Sequence, residues 1–127
     1  MTPEEFVEAI RTAVHESAIS GTESSLLGPQ GRRPAAGDVE LSRWYCELSS
    51  EDRVHVNTVI RHSVHSAVFG FLCVFDGVRA IEAESKGRLE LVYVKDNDRR
   101  VLNSESELLH DIYQSLVYEE VFGGSEA

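Results

Sequence analysis

The apolar positions near the start of the chain recur with the period of an amphipathic helix. They are Phe6, Ile10, Ala13, Val14, Ala18 and Ile19. Residues spaced in this way share one helix face, which predicts burial of that face. Thr2 and Glu5 form a T-x-x-E capping box with Pro3 between them, so the helix is predicted to begin at Pro3. Gly21 is the predicted end, because glycine is a common helix terminator.

Residues 21–40 contain four glycines and two prolines, a composition typical of a loop, and we expect a flexible one. A short helix is predicted next, over Leu41–Glu47. A much longer helix follows from about Glu51 to Phe75, with Ser49 or Ser50 as its N-cap. Asp76 and Gly77 are predicted to close it, since glycine readily adopts the left-handed conformation of a helix end.

The long helix has two unlike halves. At about 100° per residue, seven apolar side chains fall on one side and are predicted to face the core. They are Val56, Ile60, Val64, Ala67, Phe71, Val74 and Phe75. His55, His62 and His65 fall on the opposite side. The second half is apolar all round, so we expect it to be covered by other elements or by a second subunit.

The most apolar run of this helix, FGFLCVFDG, has nine residues. A bilayer span needs about twenty, and Asp76 and the preceding histidines interrupt any extension. No membrane association is therefore expected.

The pattern changes after Gly77. Residues 88–95 are rich in residues typical of strands, with Leu89, Leu91 and Tyr93 on one face and Glu90, Val92 and Val94 on the other. With Asp96, Asn97 and Asp98 as a predicted turn, this segment indicates a β-hairpin. If residues 78–82 also pair, the sheet becomes a three-stranded meander. A last helix is predicted to open with a second capping box, Ser104 and Glu107, and residues 123–127 are expected to fray. The prediction is one α+β domain over residues 1–127, mostly helical, with a long central helix, a small antiparallel sheet and a C-terminal helix.

Charge narrows the function. The net charge is −10, and the excess lies at the two ends: residues 1–20 hold four acids and one arginine, and residues 101–127 hold six acids and no Lys or Arg. Such a balance disfavours binding to nucleic acid or to anionic lipid. It suits either solubility or a basic protein partner. The predicted partner-binding residues are Asp96, Asp98, Glu105, Glu107, Asp111, Glu119 and Glu120.

The chemistry-bearing residues give weaker indications. His62 and His65, and Glu107 and His110, are three apart and so share helix faces, as metal ligands do. A cluster of His62, His65 and His110 in a small metal-binding protein or enzyme is therefore one alternative, although the spacing specifies no further ligand and neither a metal nor a cofactor is expected. No nucleophile elbow, phosphate loop or zinc-protease motif is present, so we expect no enzymatic activity.

The two cysteines, Cys46 and Cys73, lie far apart in the sequence without CxxC spacing. They are predicted to be reduced thiols of a cytoplasmic protein.

Three runs, LSRWYCELSSEDR, HSVHSAVFGFLCVFDGVRAIE and GRLELVYVKDNDRRVLN, resemble a group of small bacterial proteins of no assigned activity. The resemblance covers roughly residues 41–113 and implies no site residues. In size and charge the chain is also similar to immunity proteins of polymorphic toxins, although no sequence motif supports this similarity. We therefore expect a non-enzymatic, acidic interaction module of immunity or antitoxin type; the alternatives are the histidine cluster above and a structural homodimer.

Overall fold

The computed structural model describes residues 1–123, and the order of its elements confirms the predicted fold class. The elements are α1 (Pro3–Ile10), a π-helix (Arg11–Glu16), α2 (Ser17–Leu27), α3 (Ala36–Glu47), α4 (Ser50–Phe75), β1 (Val92–Lys95), β2 (Asp98–Val101) and α5 (Leu109–Phe122). The protein is thus mostly helical, with a long central helix, a two-stranded antiparallel sheet and a C-terminal helix. Of the tail predicted to fray, residues 124–127 lie outside the described residues.

The first helix begins as predicted but continues past its predicted end. The Thr2 hydroxyl accepts a hydrogen bond from the Glu5 N–H at 3.1 Å. The helix then continues through the π-helix and Gly21 to Leu27. An interior glycine costs only about 1 kcal/mol relative to alanine, which packing can offset. Here Leu26 is buried, and its carbonyl accepts a hydrogen bond from the Ser42 hydroxyl at 2.8 Å. The predicted loop 21–40 is therefore wrong at both ends, and only residues 28–35 connect α2 to α3.

The π-helix changes which residues of the first helix are buried. A π turn contains one residue more than an α turn, so the apolar face moves by one position after it. Val14, predicted to be in the core, is 43% exposed, whereas His15 is fully buried. The predicted stripe is therefore wrong at Ala13 and Val14, which are exposed, whereas Ala18 and Ile19 beyond them are half-buried.

Helix α4 has the predicted boundaries but a different buried face. Its N-cap is Ser49, whose hydroxyl accepts from the Asp52 N–H at 3.0 Å, and Gly77 closes it with φ of 76°. The buried side chains include His65 and Leu72, while Phe71 is 62% exposed. The side predicted to face the core is thus turned away from it, because α5 packs against the histidine side.

The main core lies between α1, α4 and α5. Its buried members are Val7, Leu72, Leu109, Tyr113, Val117 and Val121. Each helix therefore contributes one narrow face, and much of the remaining apolar surface of α4 is left without cover.

The hairpin is confirmed, and its turn is one residue shorter than predicted. Val92 pairs with Val101 and Lys95 with Asp98, so Asp98 opens β2 and does not belong to the turn. Asp96 takes φ of 56°, a conformation that aspartate tolerates better than most residues. Residues 78–82 form no strand, so the meander alternative is wrong.

Asn103 joins the sheet to the central helix. Its amide group donates to the carbonyls of Phe75 at 2.7 Å and Leu89 at 2.8 Å. Its carbonyl oxygen accepts from the Leu91 N–H at 2.8 Å. One side chain therefore satisfies three backbone groups from two segments.

Helix α5 begins at Leu109, four residues later than predicted, and its cap comes from the end of α4. Ser104 hydrogen-bonds Ser106 within a turn at 2.9 Å and does not cap the helix. The Asp76 carboxylate instead accepts from the backbone N–H groups of Leu109 at 3.0 Å and His110 at 2.8 Å. The residue that ends α4 thus also starts α5.

Candidate functional site

The acidic ends of the sequence come together on one pair of packed helices. Helix α1 packs against α5. Glu4 near the start of α1 contacts Glu107 just before α5, and His15 in the π-helix contacts Tyr113 and Glu120 within α5. The two helices therefore run in the same direction, which brings exposed acids from both ends of the chain onto neighbouring helices. These acids are called here the acidic face, and they are Glu4, Glu5, Glu8, Glu107, Asp111, Glu119 and Glu120. Arg11 lies among them and is paired with Glu8 at 3.9 Å.

One end of the acidic face brings two carboxyl groups into direct contact. The side chains of Glu4 and Glu107 lie next to each other, and this proximity raises the pKa of Glu107 and lowers the pKa of Glu4. This contact marks a concentration of negative charge that a cationic group would relieve.

The other end is anchored by a buried histidine. Glu120 Oε1 lies 3.0 Å from His15 Nε2, although without the alignment of a hydrogen bond. His15 Nδ1 lies 2.7 Å from the Tyr113 hydroxyl. Burial lowers the pKa of His15, an effect that Glu120 opposes, and burial also raises the pKa of Tyr113. His15 and Tyr113 thus form a neutral, hydrogen-bonded pair that joins the π-helix to α5.

The hairpin does not extend the acidic face. Asp96 and Asp98, both predicted to bind a partner, are accompanied by Lys95, Arg99 and Arg100 on the same two strands. These three bases outnumber the two acids, so the hairpin is locally basic. Of the predicted partner-binding residues, the structure places Asp111, Glu119 and Glu120 on α5, and Glu105 and Glu107 in the segment just before it.

The three histidines of the metal alternative do not converge. The Phe69 ring contacts both His65 and His110, with centroids 5.4 Å away in each case, and so separates them. The Phe122 ring lies in the same way between His62 and His65. Within residues 1–123, no group of three or more His, Cys, Asp or Glu side chains could hold a metal ion. The predicted cluster therefore does not form.

Each of two histidines instead has a structural hydrogen bond. His65 Nε2 lies 2.6 Å from Gln114 Oε1, which ties α4 to α5. His110 Nδ1 lies 2.6 Å from the buried Asp76 Oδ2. The hydrogen bonds of His65 and His110 therefore have a structural role, since they join α4 and its C-terminal end to α5.

Sequence reasoning missed His15 and the capping role of Asp76. A π-helix leaves no mark in the 3.6-residue pattern, so the period selected Val14 in place of its neighbour. Asp76 precedes a glycine at a helix end, and that context indicated a C-cap without indicating what its carboxylate would contact. Neither residue had a sequence signal that pointed to its partner.

The two cysteines lie in different environments. Cys73 is buried, and burial raises the pKa of its thiol, whereas Cys46 is exposed. Trp44, near Cys46 on α3, is 49% exposed, whereas its neighbour Tyr45 is buried.

By length and composition alone, the whole of α4 could cross a membrane. Its most apolar window has a mean hydropathy of 1.3, and 28% of that window is buried. A core helix satisfies the same criterion, so the length and hydropathy do not by themselves indicate a span. The buried side of α4 is held against α5 by polar contacts such as His65 with Gln114.

Comparison of the chain with protein-family models, with curated proteins and with solved structures finds no match. The proposal for its function therefore rests on the geometry of the acidic face.

Proposed function

We propose that this protein is a non-enzymatic, cytoplasmic interaction module that binds a basic protein partner through the acidic face, in the manner of an immunity or antitoxin protein. The observation that carries the proposal is the packing of α1 against α5, which joins the acids from both ends of the chain. Glu107 and Glu119 are the central predicted contacts, since both are exposed on this surface.

The electrostatics favour a protein partner with clustered lysine or arginine. Glu4 and Glu107 place two exposed carboxyls side by side, where a single cationic side chain could contact both. Complementary fields of this kind accelerate association and select partners. Nucleic acid and anionic membranes would meet the same surface with like charge, and are disfavoured.

The face is also positioned rigidly. His15 and Tyr113 fix the π-helix to α5 beneath it, and the Asp76 carboxylate fixes the start of α5. A pre-organised surface loses less entropy on binding than a flexible one. The acidic residues would therefore be presented in a fixed arrangement.

The test begins with capture of partners on the immobilised full chain from an extract of its native cells, identified by mass spectrometry. The purified partner is then used to measure association rates over a range of salt concentrations. For the double variant Glu107→Lys/Glu119→Lys, the association rate should fall at least about tenfold at low salt, with a flatter salt dependence.

A matched control changes the charge equally elsewhere. Glu40 and Glu47 are exposed on α3, outside the acidic face. The variant Glu40→Lys/Glu47→Lys should slow association far less, since only long-range attraction is altered. Equal effects of the two variants, or a captured partner with an acidic or neutral surface, would contradict the proposal.

A further inference from the structure

The exposed side of α4 carries a regular apolar repeat, called here the α4 seam. It consists of Ile60, Val64, Ala67, Phe71 and Val74. The successive spacings are four, three, four and three residues, which is the a/d repeat of a coiled coil. At 100° per residue the seam lies on the side of α4 opposite His65 and Phe69, which face α5.

Within residues 1–123, no helix or strand covers the middle of the seam. Phe71 is 62% exposed and Ala67 is exposed, while the other three positions are half-buried. A phenylalanine exposed to this extent within an apolar repeat indicates a missing helical neighbour, because knobs-into-holes packing needs a facing helix.

The charge along α4 fits a second copy of the same chain. Between Asp52 and Asp76 the sequence contains no acid, and its only Lys or Arg residues are Arg53 and Arg61. Two copies of a chain with net charge −10 repel each other over most of their surfaces. The α4 seam is an apolar surface through which two copies can meet without bringing acids of this helix together.

We propose that the protein forms a symmetric homodimer in which two α4 seams pack antiparallel, with Ala67 at the two-fold axis. In this register Phe71 of each copy lies against the seam near Val64 of the other, and Ile60 lies opposite Val74. Ala67 at the axis allows close approach of the two helices. Phe71 of each copy packs near the smaller Val64 of the other. A two-fold interface requires such self-complementarity, because each residue pair occurs twice.

Other occupants fit the seam less well. From Ile60 to Val74 it extends about 21 Å, shorter than the roughly 30 Å hydrocarbon core of a bilayer. A different helical partner is commonly selected by charged residues flanking the seam. The flanking positions of the seam are Arg61, Ser63, Val68, Gly70 and Phe75, and Arg61 is the one charged residue among them. The acidic face on α1 and α5 takes no part in this dimer, so the inference stands independently of the proposed function.

The first experiment measures the mass of the full chain by light scattering after size exclusion. The expected mass is twice the 14.2 kDa of one chain. The variant Phe71→Glu should raise the dimer dissociation constant at least about 100-fold, because it places a charge in the interface. Val94→Glu is the control, since Val94 is 53% exposed on the hairpin, and it should remain dimeric. Far-UV circular dichroism checks that both variants remain folded.

A second experiment tests the orientation, in a Cys46→Ser background. Ala67→Cys should form a disulfide between copies on mild oxidation, because the two residues meet at the axis. Phe71→Cys should not, since antiparallel packing separates its two copies by about 12 Å along the helix axis. A monomeric wild type, including one that sediments with lipid vesicles, would overturn the proposal. A dimer unaffected by Phe71→Glu, or cross-linking through Phe71→Cys, would also overturn it.

Discussion

Removal of the buried Asp76 carboxylate, which caps α5, should destabilise the protein more than removal of any exposed carboxylate of α5. The side chain is fully buried and accepts three hydrogen bonds, from the N–H groups of Leu109 and His110 and from His110 Nδ1. Loss of an N-cap costs about 0.5–2 kcal/mol, and a hydrogen bond to a charged acceptor contributes about 1.5–3 kcal/mol. Because these contributions overlap, we expect Asp76→Ala to lower the free energy of unfolding by about 3–5 kcal/mol.

The assay is urea denaturation followed by far-UV circular dichroism. With a slope of about 2 kcal/mol per molar urea, the midpoint should fall by roughly 2 M. Asp76→Asn keeps one acceptor oxygen but turns an N–H group toward a donor, so its cost should be smaller, about 2 kcal/mol. The ordering of the two variants tests whether the hydrogen bonds, and not only the volume of the side chain, carry the effect.

Asp111→Ala is the matched control. Its carboxylate lies 3.3 Å from the other ring nitrogen of His110, but the side chain is 70% exposed. The expected loss is at most about 1 kcal/mol, because solvent screens the interaction. If Asp76→Ala costs less than about 1 kcal/mol, or no more than Asp111→Ala, the capping role assigned to Asp76 is wrong.

Three further predictions concern buried polar groups. Burial lowers the pKa of His15, so below about pH 6.5 the unfolded chain binds a proton that the folded chain does not. The free energy of unfolding should therefore fall as the pH drops through this window toward the folded pKa, and urea midpoints at about pH 7.5 and about pH 5.5 should show a smaller drop for His15→Gln. Tyr113→Phe leaves His15 Nδ1 without its partner and should cost about 1–3 kcal/mol in the same assay; an unchanged midpoint would contradict the importance of this bond. Asn103→Leu removes the bonds to Phe75, Leu89 and Leu91 and should cost about 2–4 kcal/mol, with loss of hydrogen-exchange protection at Leu91 N–H as a second readout.

The secondary structure was predictable wherever a local signal was sufficient. The start of α1, both ends of α4 and the existence of the hairpin each depend on residues close in sequence: a capping hydroxyl, a glycine after the last turn, or alternating apolar positions. The helix end predicted at Gly21 and the helix start predicted at Ser104 were wrong, because contacts with residues distant in the sequence outweighed these local signals. Burial of Leu26 extended the first helix, and Asp76 supplied a better cap for α5 than Ser104.

Which faces would be buried was less predictable, because a helix with apolar residues on most sides has no single preferred orientation. The apolar count favoured the side of α4 that contains Phe71. The structure buries the side that contains His65 and Leu72, where Gln114 satisfies the histidine. A polar group of this kind can be buried only when its partner is present. The apolar pattern of a single helix gives no information about a hydrogen-bond partner on another helix.

The acidic face combines a prediction with a feature that the sequence could not supply. Charge counting located the acids at both ends of the chain, but not their meeting on adjacent helices. That meeting requires His15 to be buried beside Tyr113, which in turn requires the π-helix to shift the buried position from Val14 to His15. Since like charges on packed helices repel, the α1–α5 contact must draw its stability from this core beneath the face and not from the face itself. Variants of the buried pair should therefore weaken both folding and partner binding, whereas Glu119→Lys should weaken binding alone, and this difference separates the surface that binds from the core that positions it.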